Sequence, residues 1–157
     1  MKNKTTVFHR RSLFISLIFA ALLFVSCDPV VDTSTGDIYG TWSNSSGEKY
    51  VITSSYYNNY YGFTTLYYST DNVVVVKSDD YSGYVYCQFN DASHLGYGAT
   101  VGQWYALHYK ELTSSSVKIS QAYKSGGKAA CDSLEQAREE YTIANGYFGS
   151  YSELEEK

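Results

Sequence analysis

Residues 84–89 read Tyr-Val-Tyr-Cys-Gln-Phe, and their alternation decides the fold class of this 157-residue chain. In an extended strand, successive side chains point to opposite faces of the sheet. Val85, Cys87 and Phe89 therefore share one apolar face, and Tyr84, Tyr86 and Gln88 lie on the other. A period of two residues with one apolar face predicts a half-buried β-strand.

Similar short runs precede and follow this strand, and turn residues such as Ser46-Gly47 and Asn58-Asn59 separate them. Seven runs at a spacing of about 10–12 residues, with no helix between them, indicate an antiparallel meander. We therefore predict an all-β domain, mainly antiparallel, whose seven to eight strands close as a barrel. The predicted strands cover residues 38–43, 49–54, 62–68, 72–77, 84–90, 103–110 and 116–123.

One α-helix is predicted after the strands, near residues 133–144. Residues 132–135 read Asp-Ser-Leu-Glu, a capping-box pattern in which the first and last side chains satisfy amides of the first turn. Leu134, Ala137 and Tyr141 then mark a narrow apolar stripe. A helix with so narrow a stripe is expected to lie on the outside of the barrel or to plug one end.

The chain end is predicted to contribute little to the domain. Residues 147–151 are expected to pair as an edge strand, and the charged residues 152–157 are expected to form a frayed tail. The barrel domain with its helix would then cover residues 37–151.

The charge of the chain after residue 26 excludes nucleic acid as a partner. Residues 1–26 carry only basic charges, at Lys2, Lys4, Arg10 and Arg11. Eight of the 12 Lys and Arg therefore remain after residue 26, against all 16 Asp and Glu, which gives a net charge of −8. So acidic a segment repels polyphosphates.

The first 26 residues have the three zones of an export signal. A basic segment is followed by 13 residues, 13–25, that are apolar except for Ser16, and then by the small Ser26. A helix of that length spans roughly 20 Å, too short for a hydrocarbon core of about 30 Å. The pattern predicts a signal peptide over residues 1–26 and not a membrane span.

Residues 23–27, Leu-Phe-Val-Ser-Cys, resemble the lipobox of bacterial lipoproteins, with Phe24 where leucine is commoner. The resemblance implies cleavage between Ser26 and Cys27 and attachment of lipid, including acyl chains such as palmitate, to Cys27. The chain would then be anchored to a membrane of the cell envelope, and residues 27–36 would form a flexible, lipidated tether.

Residues 38–42, Ile-Tyr-Gly-Thr-Trp, resemble the Gly-x-Trp signature that opens the first strand of lipocalin-type barrels. The resemblance implies structural roles for Gly40 and Trp42 and a barrel that holds a small apolar ligand. The chain departs from the family in lacking a later Thr-Asp-Tyr motif and an arginine to stack on the tryptophan. Residues 104–148 are also similar to small spirochaete-type lipoproteins of unassigned function.

Two cysteines remain once Cys27 carries lipid. Cys87 and Cys131 could form a disulfide in an oxidising envelope compartment, and that bridge would stabilise the domain by about 4 kcal/mol. Alternatively, Cys87 is a small buried apolar residue on the inward face of its strand. Both alternatives stay open on the sequence alone.

No residues in the sequence form a catalytic, cofactor-binding or metal-binding pattern. His94 and His108 have no ligand partners at short spacing, and residues 79–80, Asp-Asp, lie in a predicted turn that does not fit a calcium loop. Residues 125–128, Ser-Gly-Gly-Lys, lack the frame of a phosphate-binding loop and are read as a flexible turn. We expect a non-enzymatic protein without a cofactor.

The 18 tyrosines all follow residue 27, and several come as adjacent pairs. In an extended chain each pair places one ring on either face, so some rings must face outwards. Residues 54–62 are expected to form a turn that exposes Tyr56, Tyr57, Tyr60 and Tyr61 for contacts with protein or carbohydrate. Three functions follow: a small-ligand-binding barrel, a surface interaction module, and an envelope enzyme whose His94 or His108 meets a carboxylate.

Overall fold

The computed structural model describes residues 36–91 and 98–157, all within one unit that runs from Asp32 to Lys157. The predicted signal peptide, the lipidation site Cys27 and all of the predicted tether except residue 36 lie outside the described residues, as does His94. Within residues 36–91 and 98–157, no helix is long and apolar enough to cross a bilayer.

Eight antiparallel strands form a closed barrel in which each strand pairs with its neighbours in sequence and the last pairs with the first. The prediction of an all-β barrel with one helix is confirmed. The strands are β1 (Gly40–Ser43), β2 (Lys49–Ile52), β3 (Tyr56–Tyr61), β4 (Thr65–Lys77), β5 (Gly83–Asp91), β6 (Trp104–Lys110), β7 (Ser116–Gln121) and β8 (Ser152–Glu156), and helix α1 (Leu134–Glu140) precedes β8.

Strand β4 is a single long strand where the sequence predicted two shorter strands separated by a turn. Its pairing with β5 continues on both sides of an irregularity between Asp71 and Val74, where Asn72 has a φ of 50°. A residue in the left-handed region inside an antiparallel pair makes a bulge, which bends the strand without reversing it. The predicted turn at this position is therefore wrong.

Strand β3 occupies the segment that was predicted to be an exposed turn. It pairs with β2 on one side and with β4 on the other, so both of its edges are hydrogen-bonded. Tyr57 and Asn59 point into the barrel and are buried, with 0% and 7% of their surface exposed. The prediction of a turn over residues 54–62 is wrong because these polar aromatic residues alternate between the two faces of a strand.

Residues 152–157 are not a frayed tail, because residues 152–156 form β8, the strand that closes the barrel. Ser152 to Glu155 pair with β7, and Glu155 and Glu156 pair with β1. Leu154 faces inwards with 2% of its surface exposed, while its neighbours in β8 are exposed or half-exposed. Residues 147–151 were predicted to pair as an edge strand, and they instead lead into β8.

Helix α1 is shorter than predicted and is capped one residue later. The Ser133 hydroxyl accepts a hydrogen bond from the Gln136 amide at 3.2 Å, and the Gln136 side-chain oxygen accepts one from the Asp132 amide at 3.2 Å. Ser133 is therefore the N-cap in place of Asp132, and the Gln136 side chain reaches back to the residue before the cap. At the other end the Asn145 side-chain amide donates to the carbonyls of Glu139 and Glu140, which ends the helix at Glu140.

Two apolar clusters stabilise the domain, one inside the barrel and one outside. The inner cluster includes one large aromatic side chain from each of β1, β2, β3, β4 and β6, namely Trp42, Tyr50, Tyr57, Tyr68 and Tyr109. The interior is therefore packed and not hollow. The outer cluster joins Ala137 of α1 and the following Tyr141, Tyr147 and Phe148 to the outer face of β5 and β6. The helix therefore lies on the outside of the barrel, one of the two places that its narrow stripe predicted.

Candidate functional site

A cavity of about 450 Å³ opens at one end of the barrel, which we call the mouth. It lies where β4 begins, β5 ends, β6 begins and β7 ends, and the loop after β7 forms its rim. The described residues that line it are Tyr67, Tyr68, Phe89, Ala99, Tyr105, and 121–129.

Three aromatic rings form the wall of the mouth. The ring centroid of Tyr68 lies 5.5 Å from that of Phe89 and 6.0 Å from that of Tyr105, both edge to face. The Phe89 and Tyr105 rings lie 5.2 Å apart with an angle of 32° between their planes. Rings that pack against one another in this way are already fixed, so a ligand would not have to order them on binding.

Gln121 forms the polar floor of the mouth and connects two tyrosines. The Tyr68 hydroxyl donates a hydrogen bond to the Gln121 side-chain oxygen at 2.6 Å, and the Gln121 amide nitrogen donates to the Tyr50 hydroxyl at 3.1 Å. The network continues inwards, because the Tyr57 and Tyr68 hydroxyl oxygens lie 3.1 Å apart and the Asn59 amide donates to the Tyr57 hydroxyl. The hydroxyls of Tyr50, Tyr57 and Tyr68 in this network thus each have a partner, as buried polar groups usually do.

These tyrosines stay protonated at neutral pH. Burial, followed by the nearby Glu48 carboxylate, raises the pKa of Tyr50 to about 12. Burial also raises the pKa of Tyr57 and of Tyr68 well above the usual value for a phenol. Neutral hydroxyls can donate and accept hydrogen bonds but are poor proton acceptors, so the floor of the mouth is suited to recognition and not to base catalysis.

The rim of the mouth is the loop of residues 124–129, which packs on Tyr147. The Lys128 amide donates to the Tyr147 hydroxyl at 2.8 Å. A Cβ atom at Gly127 would lie 2.6 Å from the same hydroxyl oxygen, so only glycine allows the loop to approach Tyr147 this closely. The sequence predicted a flexible turn for residues 125–128 and gave no sign that they border a cavity.

A larger depression of about 750 Å³ lies at the seam between β7, β8 and the β1–β2 turn, but its lining is charged. The Lys118 ammonium lies 2.8 Å from the Glu111 carboxylate and 3.3 Å from that of Glu153. These charged side chains pair with one another in contact with solvent and form a polar surface. The mouth is therefore the better candidate for a site that holds an apolar molecule.

The four tyrosines predicted to form an interaction surface do not share one environment. Tyr57 is completely buried, so its place in an exposed surface is wrong. Tyr56 and Tyr61 are exposed, with 40% and 72% of their surface accessible. Tyr60 is half-exposed, and the Lys49 ammonium lies 4.0 Å above its ring.

Cys87 and Cys131 are both free thiols, so the predicted alternative of a disulfide is not the arrangement found. Cys87 belongs to the cluster inside the barrel, whereas Cys131 belongs to the cluster outside it. Two side chains on opposite sides of a sheet cannot meet the geometry of a disulfide. Burial raises the pKa of the Cys87 thiol to about 12, which leaves it protonated and unreactive.

The Trp42 side chain is packed inside the barrel, and Gly40 lies beside its indole ring. Trp42 is 1% exposed, and its indole nitrogen donates to the Ile38 carbonyl oxygen at 2.9 Å. A Cβ atom at Gly40 would lie 3.4 Å from the indole ring. Trp42 does not line the mouth.

The described residues bring no catalytic constellation together at the mouth. His108 is buried on the outer face, where its Nδ1 atom lies 2.9 Å from the Tyr151 hydroxyl, and burial lowers its pKa. Asp79 caps a turn by accepting hydrogen bonds from the Tyr81 amide and the Ser82 hydroxyl. Across the described part of the chain, no three His, Cys, Asp or Glu side chains come together as metal ligands.

The residues that line the mouth were missed in the sequence because no local pattern marks them. Tyr68, Phe89, Tyr105 and Gln121 come from four different strands and meet only when the barrel closes. These four residues share a position at the same end of the barrel. Because successive strands of a meander run in opposite directions, this shared position follows once the strand boundaries are known. The alternation of apolar residues identified Phe89 as inward-facing, and that was the only signal.

The chain matches no protein-family model, no curated protein and no solved structure. The class of the protein therefore rests on the fold and the site themselves. The described residues define a closed, eight-stranded antiparallel β-barrel protein with an aromatic cavity at one end.

Proposed function

We propose that the chain is a non-enzymatic lipoprotein of the bacterial cell envelope, anchored by lipid on Cys27, whose barrel mouth binds a small, mainly apolar ligand. The observation that carries the binding function is the aromatic mouth. Its volume of about 450 Å³ falls within the usual range for small-molecule sites, and its lining combines apolar walls with a few polar groups.

The ligand would bind at the mouth and not in the centre of the barrel. Large side chains fill the interior below Gln121, including Trp42, Tyr50 and Tyr57. The Tyr68 hydroxyl and the Gln121 amide close the cavity from below, where they would orient any polar group of the ligand. The mouth thus replaces the central cavity that the resemblance to lipocalin-type barrels led us to expect.

The tether would enter the barrel at the end opposite the mouth. Gly36 packs so closely on the β6–β7 turn that a Cβ atom there would lie 2.2 Å from the Thr113 carbonyl oxygen. Strand β7 starts at that turn and ends at Gln121 in the mouth. The described part of the chain therefore begins at the end of the barrel away from the mouth, and the tether would not cover the cavity.

The anchor is tested by replacing its thiol with a hydroxyl. In cells fed labelled palmitate, we expect the wild-type chain to carry label and to fractionate with membranes. Cys27→Ser should lose both properties, because serine has no thiol to accept the lipid and a chain without acyl groups has no lipid anchor. Cys131→Ala removes a thiol from the folded domain and should keep both properties. Full labelling of Cys27→Ser, or an unlabelled wild-type chain, would overturn the lipoprotein assignment.

The binding site is tested by filling the mouth. Calorimetric titration of the full-length protein in phosphatidylcholine vesicles with 2-naphthamide, corrected with protein-free vesicles, should detect binding. Ala99→Trp places a large ring in the cavity and should weaken that binding at least about tenfold, a loss of about 1.4 kcal/mol. Val101, which is 65% exposed and does not line the mouth, provides the matched control Val101→Trp with unchanged affinity.

The same titration identifies a failure of the proposal. If the wild-type protein gives no heat above that of the vesicles, the mouth does not bind aromatic molecules. If Ala99→Trp and Val101→Trp bind equally well, the probe binds elsewhere. In both cases a ligand-binding function at the mouth would be abandoned.

A further inference from the structure

The mouth has a charge balance opposite to that of the rest of the chain. From residue 27 to the end there are twice as many acidic as basic residues, eight Lys and Arg against 16 Asp and Glu. The described residues that line the mouth nevertheless include two lysines, Lys124 and Lys128, and no aspartate or glutamate. Among the described residues, a lining whose only charges are positive, in an acidic protein, favours an anionic ligand.

Of these two lysines, Lys128 pairs with a carboxylate among the described residues and Lys124 does not. The Lys128 ammonium lies 3.7 Å from the Glu140 carboxylate, which also accepts a hydrogen bond from the Tyr147 hydroxyl at 2.5 Å. The Lys124 ammonium lies 5.6 Å from the centre of the Tyr147 ring, and within residues 36–91 and 98–157 no carboxylate forms an ion pair with it. Lys124 thus supplies one uncompensated positive charge at the rim.

The distribution of polar and apolar groups limits the body of the ligand. The wall rings Tyr68, Phe89 and Tyr105 already meet one another edge to face or tilted, which is how a further aromatic ring would pack against them. The charge at Lys124 lies on the rim, whereas the rings lie deeper in the cavity. A ligand that satisfies both would have an aromatic body and a negative charge at one end.

We propose that the mouth binds a small aromatic molecule with a single negative charge, whose ring packs on Tyr105 and whose anionic group pairs with Lys124. This inference rests on the proposed function, since it names the chemical class of ligand for the same cavity. A carboxylate, a sulfonate or a phosphate diester has the required charge.

The test compares two probes of the same shape that differ in charge. The full-length protein in phosphatidylcholine vesicles is titrated with 2-naphthoate and with 2-naphthamide, and protein-free vesicles are subtracted. We expect the carboxylate to bind about two- to fivefold more tightly than the amide, the size of effect that one ion pair at an exposed site produces. Raising the salt concentration should reduce this ratio, because salt screens exposed charges.

The residue assignment is tested by removing one charge at a time. Lys124→Gln should abolish the preference for 2-naphthoate over 2-naphthamide. Lys77, at the end of β4 that lies away from the mouth, provides the matched control, and Lys77→Gln should keep the full preference. The pair of variants separates a contact at the rim from a change in the net charge of the protein.

The outcomes separate this inference from the proposed function. Equal affinity for the two probes, or a preference that survives in Lys124→Gln, would overturn the anionic ligand while leaving an apolar site at the mouth. Absence of binding for both probes would overturn the binding function as well.

Discussion

Deletion of residues 152–157 is expected to unfold the barrel, although these residues look like a charged tail in the sequence. Strand β8 pairs with β7 over four residues and with β1 over two, so its loss leaves two exposed strand edges in place of a closed barrel. Loss of the buried Leu154 side chain alone would cost about 2–5 kcal/mol, and an ordinary domain is stable by only about 5–15 kcal/mol. Far-ultraviolet circular dichroism and thermal melting should show the loss of the cooperative transition.

Two point variants on the same strand provide the controls. Leu154→Ala should lower the melting temperature strongly but keep the fold, because it removes the inward-facing side chain and leaves the strand pairing intact. Glu155→Ala should be close to wild type, because the side chain is 78% exposed and its ion pair with Lys157 is a surface contact. A deletion variant that melts at the wild-type temperature would show that β8 does not close the barrel.

The fold class could be predicted because β-strands have a local sequence pattern, the alternation of apolar and polar residues. The alternation of Val85, Cys87 and Phe89 is visible within six residues. Strand β5 begins and ends one residue outside the predicted range of 84–90. The meander order follows from short connections between successive strands. For such features the sequence alone is sufficient.

Strands β3 and β8 could not be predicted because their burial depends on distant partners. Asn59 looks like a turn residue, and it becomes an inward-facing strand residue because its side chain donates to the Tyr57 hydroxyl inside the barrel. Leu154 has charged neighbours, and it is buried because β7 and β1 lie on either side of its strand. Neither pairing has a local signature.

The mouth depends on distant pairing even more. Its floor requires the Gln121 amide to meet the hydroxyls of Tyr50 and Tyr68, which come from two other strands. A sequence in which tyrosine is abundant gives no means of choosing these two from the others. Only the closed barrel shows which rings pack inside, which form the cavity and which remain on the surface.

Trp42→Ala is expected to cause the largest loss of stability among single substitutions in the barrel. The indole is 1% exposed and packs in the inner cluster, and its nitrogen donates to the Ile38 carbonyl oxygen. Truncation of a buried tryptophan to alanine costs about 3–5 kcal/mol, because it removes apolar contacts and leaves a cavity in a packed interior. Urea unfolding followed by circular dichroism measures this as a shift of the midpoint at constant slope.

Trp42→Phe separates the two contributions of the indole. Phenylalanine keeps an aromatic ring in the interior but cannot donate to the buried Ile38 carbonyl, whose unpaired state costs about 1–3 kcal/mol. We therefore expect Trp42→Phe to lie between the wild type and Trp42→Ala. A decrease of less than about 1 kcal/mol in the free energy of unfolding of Trp42→Ala would be typical of a surface substitution. That result would show that the indole is not packed in the interior.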